Sequence, residues 1–462
     1  MSTEFRSLAL SPELLEVVAE LGYQAMTPVQ AAAIPVLLAG QDIVAQSRTG
    51  SGKTAAFTLP ILQSSSFEQR VPVAIVLCPT RELSAQVARE MRKLGRRIPG
   101  LRVLVLAGGE PRRRQTSALA EGAHLIVGTP GRVLDHLKRG DLTLDRVRTI
   151  VLDEADRMLD MGFEEDMSAI LRAVPRLRQT AFFSATFPSS IEAMSRKYQQ
   201  SPARVTIETE AAERAEIRHV VTMIEPDQRL EALRWALAAH PHESALVFAN
   251  FKTTVAEVGA ALTKAGLSAD CLHGDLEQYE RDRVMAKFRN GSTRVLVATD
   301  VAARGIDIEG LDLVVNYELP SKPDVYVHRA GRTGRAGETG VAISLASARD
   351  RERLAAIEET IGAPLERVKR ARSDAPKRAT ERDAKMDTLR VSGGRKQKIR
   401  PADILGALTG EAGGLAGSDI GKIEIHDDFT YVAVARTVSK AAQKGLSEGR
   451  IKGKKFQVVL EK

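Results

Sequence analysis

Cysteine is nearly absent. Cys78 and Cys271 are the only two among 462 residues, and they stand far apart. That excludes a disulfide framework and a cysteine-held metal cluster. Long apolar runs are missing too: the densest, "AAAIPVLLAG", contains Pro35 and is far too short to span a bilayer. The opening "MSTEFRSLAL" lacks the apolar core of a secretory leader, so a cytoplasmic protein with no membrane partner is the expectation. Nor is there an acidic excess. Lysine and arginine outnumber aspartate and glutamate 67 to 59, and the net charge of +8 favours a polyanionic partner.

What is present repeats one pattern. Short β-rich apolar runs, each with a polar or glycine-bearing exit, alternate with helical stretches. They include "VAIVLCPT", "RVLVLAGG", "HLIVGTP", "TIVLDEAD" and "TAFFSAT", then "SALVFAN", "TRVLVATD", "LDLVVNY" and "GVAISLAS". Such strands predict parallel sheets covered on both faces, with ligands outside the carboxyl ends of the strands. At 43% apolar the chain can bury sizeable cores, and its length suits about three domains.

Two α/β blocks are expected, 1–206 and 217–365. The stretch between them, 207–216, is charged and reads as a hinge linker or an ordinary surface connection. A basic, apolar-poor linker follows at 366–385. A smaller module, 386–462, reads strand "TLRVS", helix "PADILGALTG", strands "GKIEIH" and "FTYVAVA", helix "VSKAAQKGLSEG", strand "KFQVVLE". That βαββαβ order predicts a ferredoxin-like α+β fold, the topology of RNA-recognition domains.

"VLDEADRML" poses the central question. Asp153, Glu154 and Asp156 crowd the end of a buried run, where like charges repel and desolvation is costly. Something positive must sit opposite. Upstream, "SRTGSGKT" (Ser47, Arg48, Thr49, Gly50, Ser51, Gly52, Lys53 and Thr54) has the Gly-Lys-Thr ending of a phosphate-binding loop, with Ser47 where the usual pattern has glycine. Backbone N–H groups there can cradle phosphates, Lys53 can reach the β/γ-phosphates, and the Thr54 hydroxyl can ligate Mg²⁺. The Mg²⁺ of a Mg·ATP complex, which needs an acid at a neighbouring strand end, is then the positive partner sought. Asp153 would hold the cation through water, and Glu154 would orient and deprotonate the attacking water. A glycine turn before a helix, and a solvated helix start, are the plain alternatives for the two motifs taken singly.

Together the motifs resemble the DEAD-box RNA helicases over residues 5–345. The resemblance implies two tandem RecA-like lobes followed by an RRM-like domain. "GYQAMTPVQ" resembles the adenine-reading segment, with Tyr23 to stack, Gln30 to bond the base edge and Phe5 upstream; Met26 replaces the usual proline. "PTREL", "AGG" and "TPGR" imply RNA contacts by Arg81, Gly108, Gly109, Thr129, Pro130 and Arg132. "FANFK", "HGDLEQYER" and "ATDVAARGID" imply Asn250, Gly274 and Thr299. Phe251 stands where the family more often has threonine and receives no role. "SAT" and "HRAGRTGR" imply coupling by Ser184, Thr186 and His328, together with Asp156. The same resemblance implies Asp307 on the ribose and Arg332 and Arg335 on the γ-phosphate once the lobes close. Such arginines can contribute about 10³-fold or more in rate.

The tail resembles the RNA-binding domain of DbpA-type helicases, a branch associated with large-subunit ribosomal RNA and ribosome assembly. Arg395, Lys396, Lys398, Arg400, Arg450, Lys452, Lys454 and Lys455 are its candidate phosphate contacts. Phe429 and Tyr431 could stack bases or be core, while Arg390 and Val434 occupy positions where an RNA-recognition platform would carry aromatics. The implied activity is ATP-dependent local unwinding of short RNA duplexes by a monomer. An ATP-gated RNA clamp and a DNA helicase on the same core are the alternatives.

Overall fold

A computed structural model describes residues 4–47, 51–207, 217–240, 242–303, 310–334, 339–369, 384–410 and 414–461. The first block is a seven-stranded parallel sheet: β1 (Ile43–Gln46), β2 (Ala74–Leu77), β3 (Val103–Leu106), β4 (Leu125–Gly128), β5 (Thr149–Asp153), β6 (Gln179–Ser184) and β7 (Ala203–Thr206), in the order β3-β4-β2-β5-β6-β1-β7. Helices cover both faces and make two apolar layers. One gathers Val76, Val127, Val151 and Phe183, the other Ile75, Ile126, Ile150 and Phe182. Alternate residues of the same strands therefore feed opposite layers, as a doubly covered sheet demands. Because all seven strands run the same way, their exits share one edge.

The second block repeats the plan with β8 (Ile217–Met223), β9 (Ala245–Phe248), β10 (Ala269–Leu272), β11 (Val295–Ala298), β12 (Leu313–Asn316), β13 (Gly340–Ala346) and β14 (Glu366–Arg367), ordered β10-β11-β9-β12-β13-β8-β14. Nearly all of the interlobe stretch 207–216 and most of the basic linker 366–385 lie outside the described residues.

The module has the expected order. Its strands β15 (Met386–Val391), β16 (Ile420–Ile425), β17 (Thr430–Ala435) and β18 (Val458–Glu461) form an antiparallel sheet, β16-β17-β15-β18. Leu389, Val391, Val432 and Val434 point into a core shared with Ile404, Leu408, Ala442 and Leu446 of its two helices. Strand alternation sends Thr388, Arg390 and Tyr431 to the other face. Val434 is therefore a core residue. It holds no position on the sheet surface, and its apolar side chain needs no explanation as a missing aromatic.

That outer face is covered. The second lobe and the module belong to one compact unit, joined through the helix Gln278–Arg289 and the turn after it. Arg289 Nε and Nη2 donate to the two carboxylate oxygens of Glu424 at 2.9 and 2.8 Å. Thr388 Oγ1 bonds Ser292 Oγ at 2.6 Å and accepts from Asn290 Nδ2 at 3.3 Å. Arg390 donates to Glu461 at 2.7 Å while lying 5.6 Å from the centre of the Tyr279 ring. Tyr279 meets Phe429 edge-on at 6.1 Å, and Tyr431 is fully buried. Arg390 and Tyr431 are thus interface residues, packed on the side of the second lobe and outside the module's own core.

Candidate ATP and RNA site

Six strand exits of the first lobe carry the residues singled out by the sequence. β5 delivers Asp153 and Glu154 beside the exits of β6 and β1, where Ser184 and Ser47 sit; Ser47 N donates to Ser184 O at 2.9 Å. Gly52, in the left-handed region at φ 90°, starts the helix Lys53–Ser64. A side chain there would collide with Gln30 Nε2 at 2.5 Å, so close packing as well as φ demands glycine. Lys53 Nζ donates to Ser47 O at 3.2 Å, and Ser51 Oγ to Ser47 Oγ at 3.1 Å. Arg48, Thr49 and Gly50 lie outside the described residues.

Gln30 is tied to this loop. Its Nε2 donates to Gly52 O at 3.1 Å, and its Oε1 accepts from Thr27 N at 2.9 Å in a capping box that starts the helix Pro28–Leu38. Phe5 is buried edge-on against Tyr23, with ring centres 5.9 Å apart, and Tyr23 Oη donates to Glu90 at 2.8 Å. The three adenine candidates thus belong to one lobe, two of them in mutual contact.

The carboxylates have separate surroundings. Asp153 is buried, and burial pushes its carboxyl up to about 6; the Lys53 charge opposes this and the neighbouring Glu154 adds to it. Among the described residues Asp153 Oδ1 has no hydrogen-bond partner. An orphaned buried acceptor beside a phosphate loop suits a hard cation that keeps most of its waters. Glu154 stands in the left-handed region at φ 55°, ψ 50°, and its Oε2 accepts from Arg157 Nη1 at 2.6 Å. Asp156 faces away: its N donates to Ser184 Oγ at 3.2 Å, and its Oδ2 accepts from Thr186 N and Oγ1 at 2.9 and 2.8 Å. Three of the four coupling candidates, Asp156, Ser184 and Thr186, therefore form one hydrogen-bonded cluster.

The remaining exits of this lobe line up beside it. A side chain on Gly108 would meet the Arg81 guanidinium at 3.1 Å, and Gly109 needs its φ of +87°. Thr129 and Pro130 begin the helix Pro130–Lys138, from which Arg132 donates to Glu110 O at 3.2 Å and Gln115 Oε1 at 3.0 Å.

In the second lobe Arg329 ties three exits together. It is 1% exposed, donates to both oxygens of Asp300 at 2.6 and 2.7 Å, and reaches Asn316 Oδ1, Glu318 O and Asn250 Oδ1 at 3.2, 2.7 and 2.9 Å. Sequence reasoning passed over this residue, although a charged position inside "YVHRAG" was the available signal. Asn250 also donates to Leu319 O at 3.0 Å, so its side chain serves the lobe's own network. Thr299 caps the turn Asp300–Ala303, Gly274 has open space around it, and Arg332 is buried near the end of the helix that carries His328. Asp307 and Arg335 lie outside the described residues.

On the module the basic candidates divide. Arg395 pairs with Asp427 at 2.9 Å and Lys396 with Asp428 at 2.7 Å, both pairs exposed. Lys452 donates to Lys398 O at 2.7 Å and pairs with Asp403 at 3.1 Å, while Arg400 caps the helix Pro401–Thr409. Arg450, Lys454 and Lys455 are exposed.

Residues 27–194 match the DEAD/DEAH box helicase family, 228–337 the helicase conserved C-terminal domain, and 388–460 the DbpA RNA binding domain. The chain is 47% identical over 464 residues to the ATP-dependent RNA helicase DbpA of Escherichia coli (strain K12), with 100% of each covered. This chain belongs to the DEAD-box RNA helicases. It is 37% identical to the DbpA of Bacillus subtilis (strain 168), covering 99% of each. S. cerevisiae Dbp5 bound to RNA and ADP BeF3 superposes with a TM-score of 0.72 at 33% identity, covering 80% of this chain and 96% of that one. A DEAD-box helicase of this kind is an RNA-dependent ATPase, and the two parallel sheets are its RecA-like lobes. Among the described residues no helix is long and apolar enough to cross a membrane.

Proposed function

We propose that this helicase separates short RNA duplexes locally, and that its module directs it to a structured hairpin of large-subunit ribosomal RNA during ribosome assembly in the cytoplasm. We take the lobes as 1–206 and 217–365, the linkers as 207–216 and 366–385, the module as 386–462, and the working form as a monomer. Lys53 and the loop from Ser47 to Thr54 bind the phosphates. Thr54 and Asp153 would hold Mg²⁺, which when bound neutralises phosphate charge. Glu154 accepts a proton from the attacking water as its oxygen bonds to the γ-phosphorus and the bond to the β-phosphate oxygen breaks. Arg332 and Arg335 stabilise the transferring phosphoryl group when ATP and RNA together favour the closed state. Asp156, Ser184, Thr186 and His328 pass that event to the RNA-contacting turns.

The observation that carries the ribosomal reading is the match of residues 388–460 to the DbpA RNA binding domain, on a module with Arg450, Lys454 and Lys455 exposed. The test compares the full chain with a chain ending at Ala384. The RNA concentration giving half-maximal ATPase is measured for a ribosomal hairpin substrate and for a control RNA. The shortened chain should still hydrolyse ATP with enough control RNA but lose its preference for the hairpin. An unchanged ratio would remove the module from targeting.

A further inference from the structure

The carboxylates that open the question of this sequence have two cationic partners, and the established motifs account for one. Lys53 faces Asp153. Arg157 faces Glu154, and nothing in the ATP-binding pattern calls for it. Both members of the Glu154–Arg157 pair have side chains only 5% exposed, and their closest approach is 2.6 Å. A buried ion pair is a poor stabilising device, because desolvation of the two charges offsets their attraction; apolar residues of similar volume often serve folding as well or better. Glu154 adds a second local cost. A non-glycine residue in the left-handed region is strained by its own side chain, and such strain persists where surrounding contacts fix it. Two unfavourable features on one residue, next to Asp153, point to a demand other than stability.

We infer that Arg157 is a positioning residue for the general base: it holds Glu154 Oε2 so that Oε1 is left to receive the proton of the attacking water. This rests on the reading of Glu154 given above. Three features of the turn support it. Glu154 is the N-cap residue of the short helix Ala155–Asp160 and Arg157 follows three positions later within it, so the pair travels with the end of β5 and need not break when the lobes move. The Arg157 main chain is itself fixed, its N donating to Asp156 Oδ1 at 2.9 Å. The other oxygen of Asp156 is held by Thr186, which ties the orientation of the base to the segment that couples hydrolysis to strand separation. A guanidinium suits this task because it stays charged and its planar donors are pre-organised, so little freedom is lost in holding one carboxylate oxygen.

The experiment uses the full chain with saturating RNA and four variants: E154Q, R157M, R157K and E154Q/R157M. Displacing a reacting group by about 1 Å can cost on the order of 100-fold, so R157M should lower kcat about 10- to 100-fold. The ATP concentration for half-maximal rate should stay within about twofold, because the base contributes to the transition state and little to ground-state binding. R157K keeps a charge without the fork and should recover most of the rate, within about fivefold of the parent. If R157M does not fold, R157K still gives a kcat loss at unchanged half-saturation. In the E154Q background, R157M should cost nothing further.

A kcat in R157M equal to or above that of the parent overturns the inference, the latter by making Arg157 a restraint on the base. So does an equal loss in the E154Q background, since Arg157 would then act through another group. Near-normal turnover in E154Q would instead remove Glu154 as the base, a separate failure.

Discussion

Arg289 and Glu424 are 135 residues apart and meet fork to fork, one on the last turn of a second-lobe helix and the other on an outer strand of the module. The Glu424 side chain is 14% exposed, and despite a burial effect that acts the other way, Arg289 holds its carboxyl below the ordinary glutamate range. A depressed carboxyl contributes stability that is complete above the ordinary value, near 4.5, and is lost as pH falls through the lower value of the docked state.

Reversing one charge should undock the module. R289E leaves two carboxylates facing each other, whereas R289E/E424R restores an opposite pair. Energy transfer between dyes on the second lobe and the module should fall in the single variant and recover in the double one. In the parent it should hold at neutral pH and decline only below about 4.5, where the carboxyl protonates. Unchanged transfer in R289E would show that the Tyr279 contacts suffice.

Phe251 offers a test of opposite sign. It is the N-cap residue of the helix Lys252–Lys264, makes no side-chain cap and is 65% exposed. Threonine can accept a hydrogen bond from the first turn, so F251T should stabilise the second lobe by about 0.5–1.5 kcal/mol in urea unfolding. A loss of stability would mean that the ring has a packing role.

The two cysteines should be nearly inert in the folded protein. Burial pushes Cys271 up to about 11 and raises Cys78, which is fully buried, well above the usual thiol range. Since the thiolate is the reacting form, Cys271 alkylation should rise about tenfold per pH unit between 7 and 10. Cys78 should react only on unfolding. Intact-mass measurements over time would separate the two, and rapid modification of either near pH 7 would contradict these environments.

Much of the site was legible because parallel strands announce themselves as apolar runs and place their polar exits together. The phosphate loop, Asp153, Glu154 and the Ser184–Thr186 segment were all readable in this way. Arg157 was readable in principle, three residues beyond Glu154 in a turn that brings such positions side by side. What escaped notice depends on partners remote in sequence. β7 and β14 are edge strands with half-exposed or exposed side chains, and β10 is only partly buried, so none shows a continuous apolar run. Tyr279 and Arg289 lie on a helix so rich in charge that its pattern resembles a solvated face. Val434 lies in the module core and not on the platform the sequence suggests, because an alternating pattern fixes two faces without saying which one meets another domain.

The covered face of the module has a consequence for interchange between relatives. Arg390, Thr388, Tyr431 and Glu424 are matched to Tyr279, Arg289 and Ser292, which precede residue 300 and lie outside the span 388–460. A graft that carries only this terminal span into another helicase would arrive with half of a complementary surface. To keep its seating, the helix Gln278–Arg289 and the turn to Ser292 must travel with it. The inherited cassette is thus larger than the folding unit, and discontinuous along the chain.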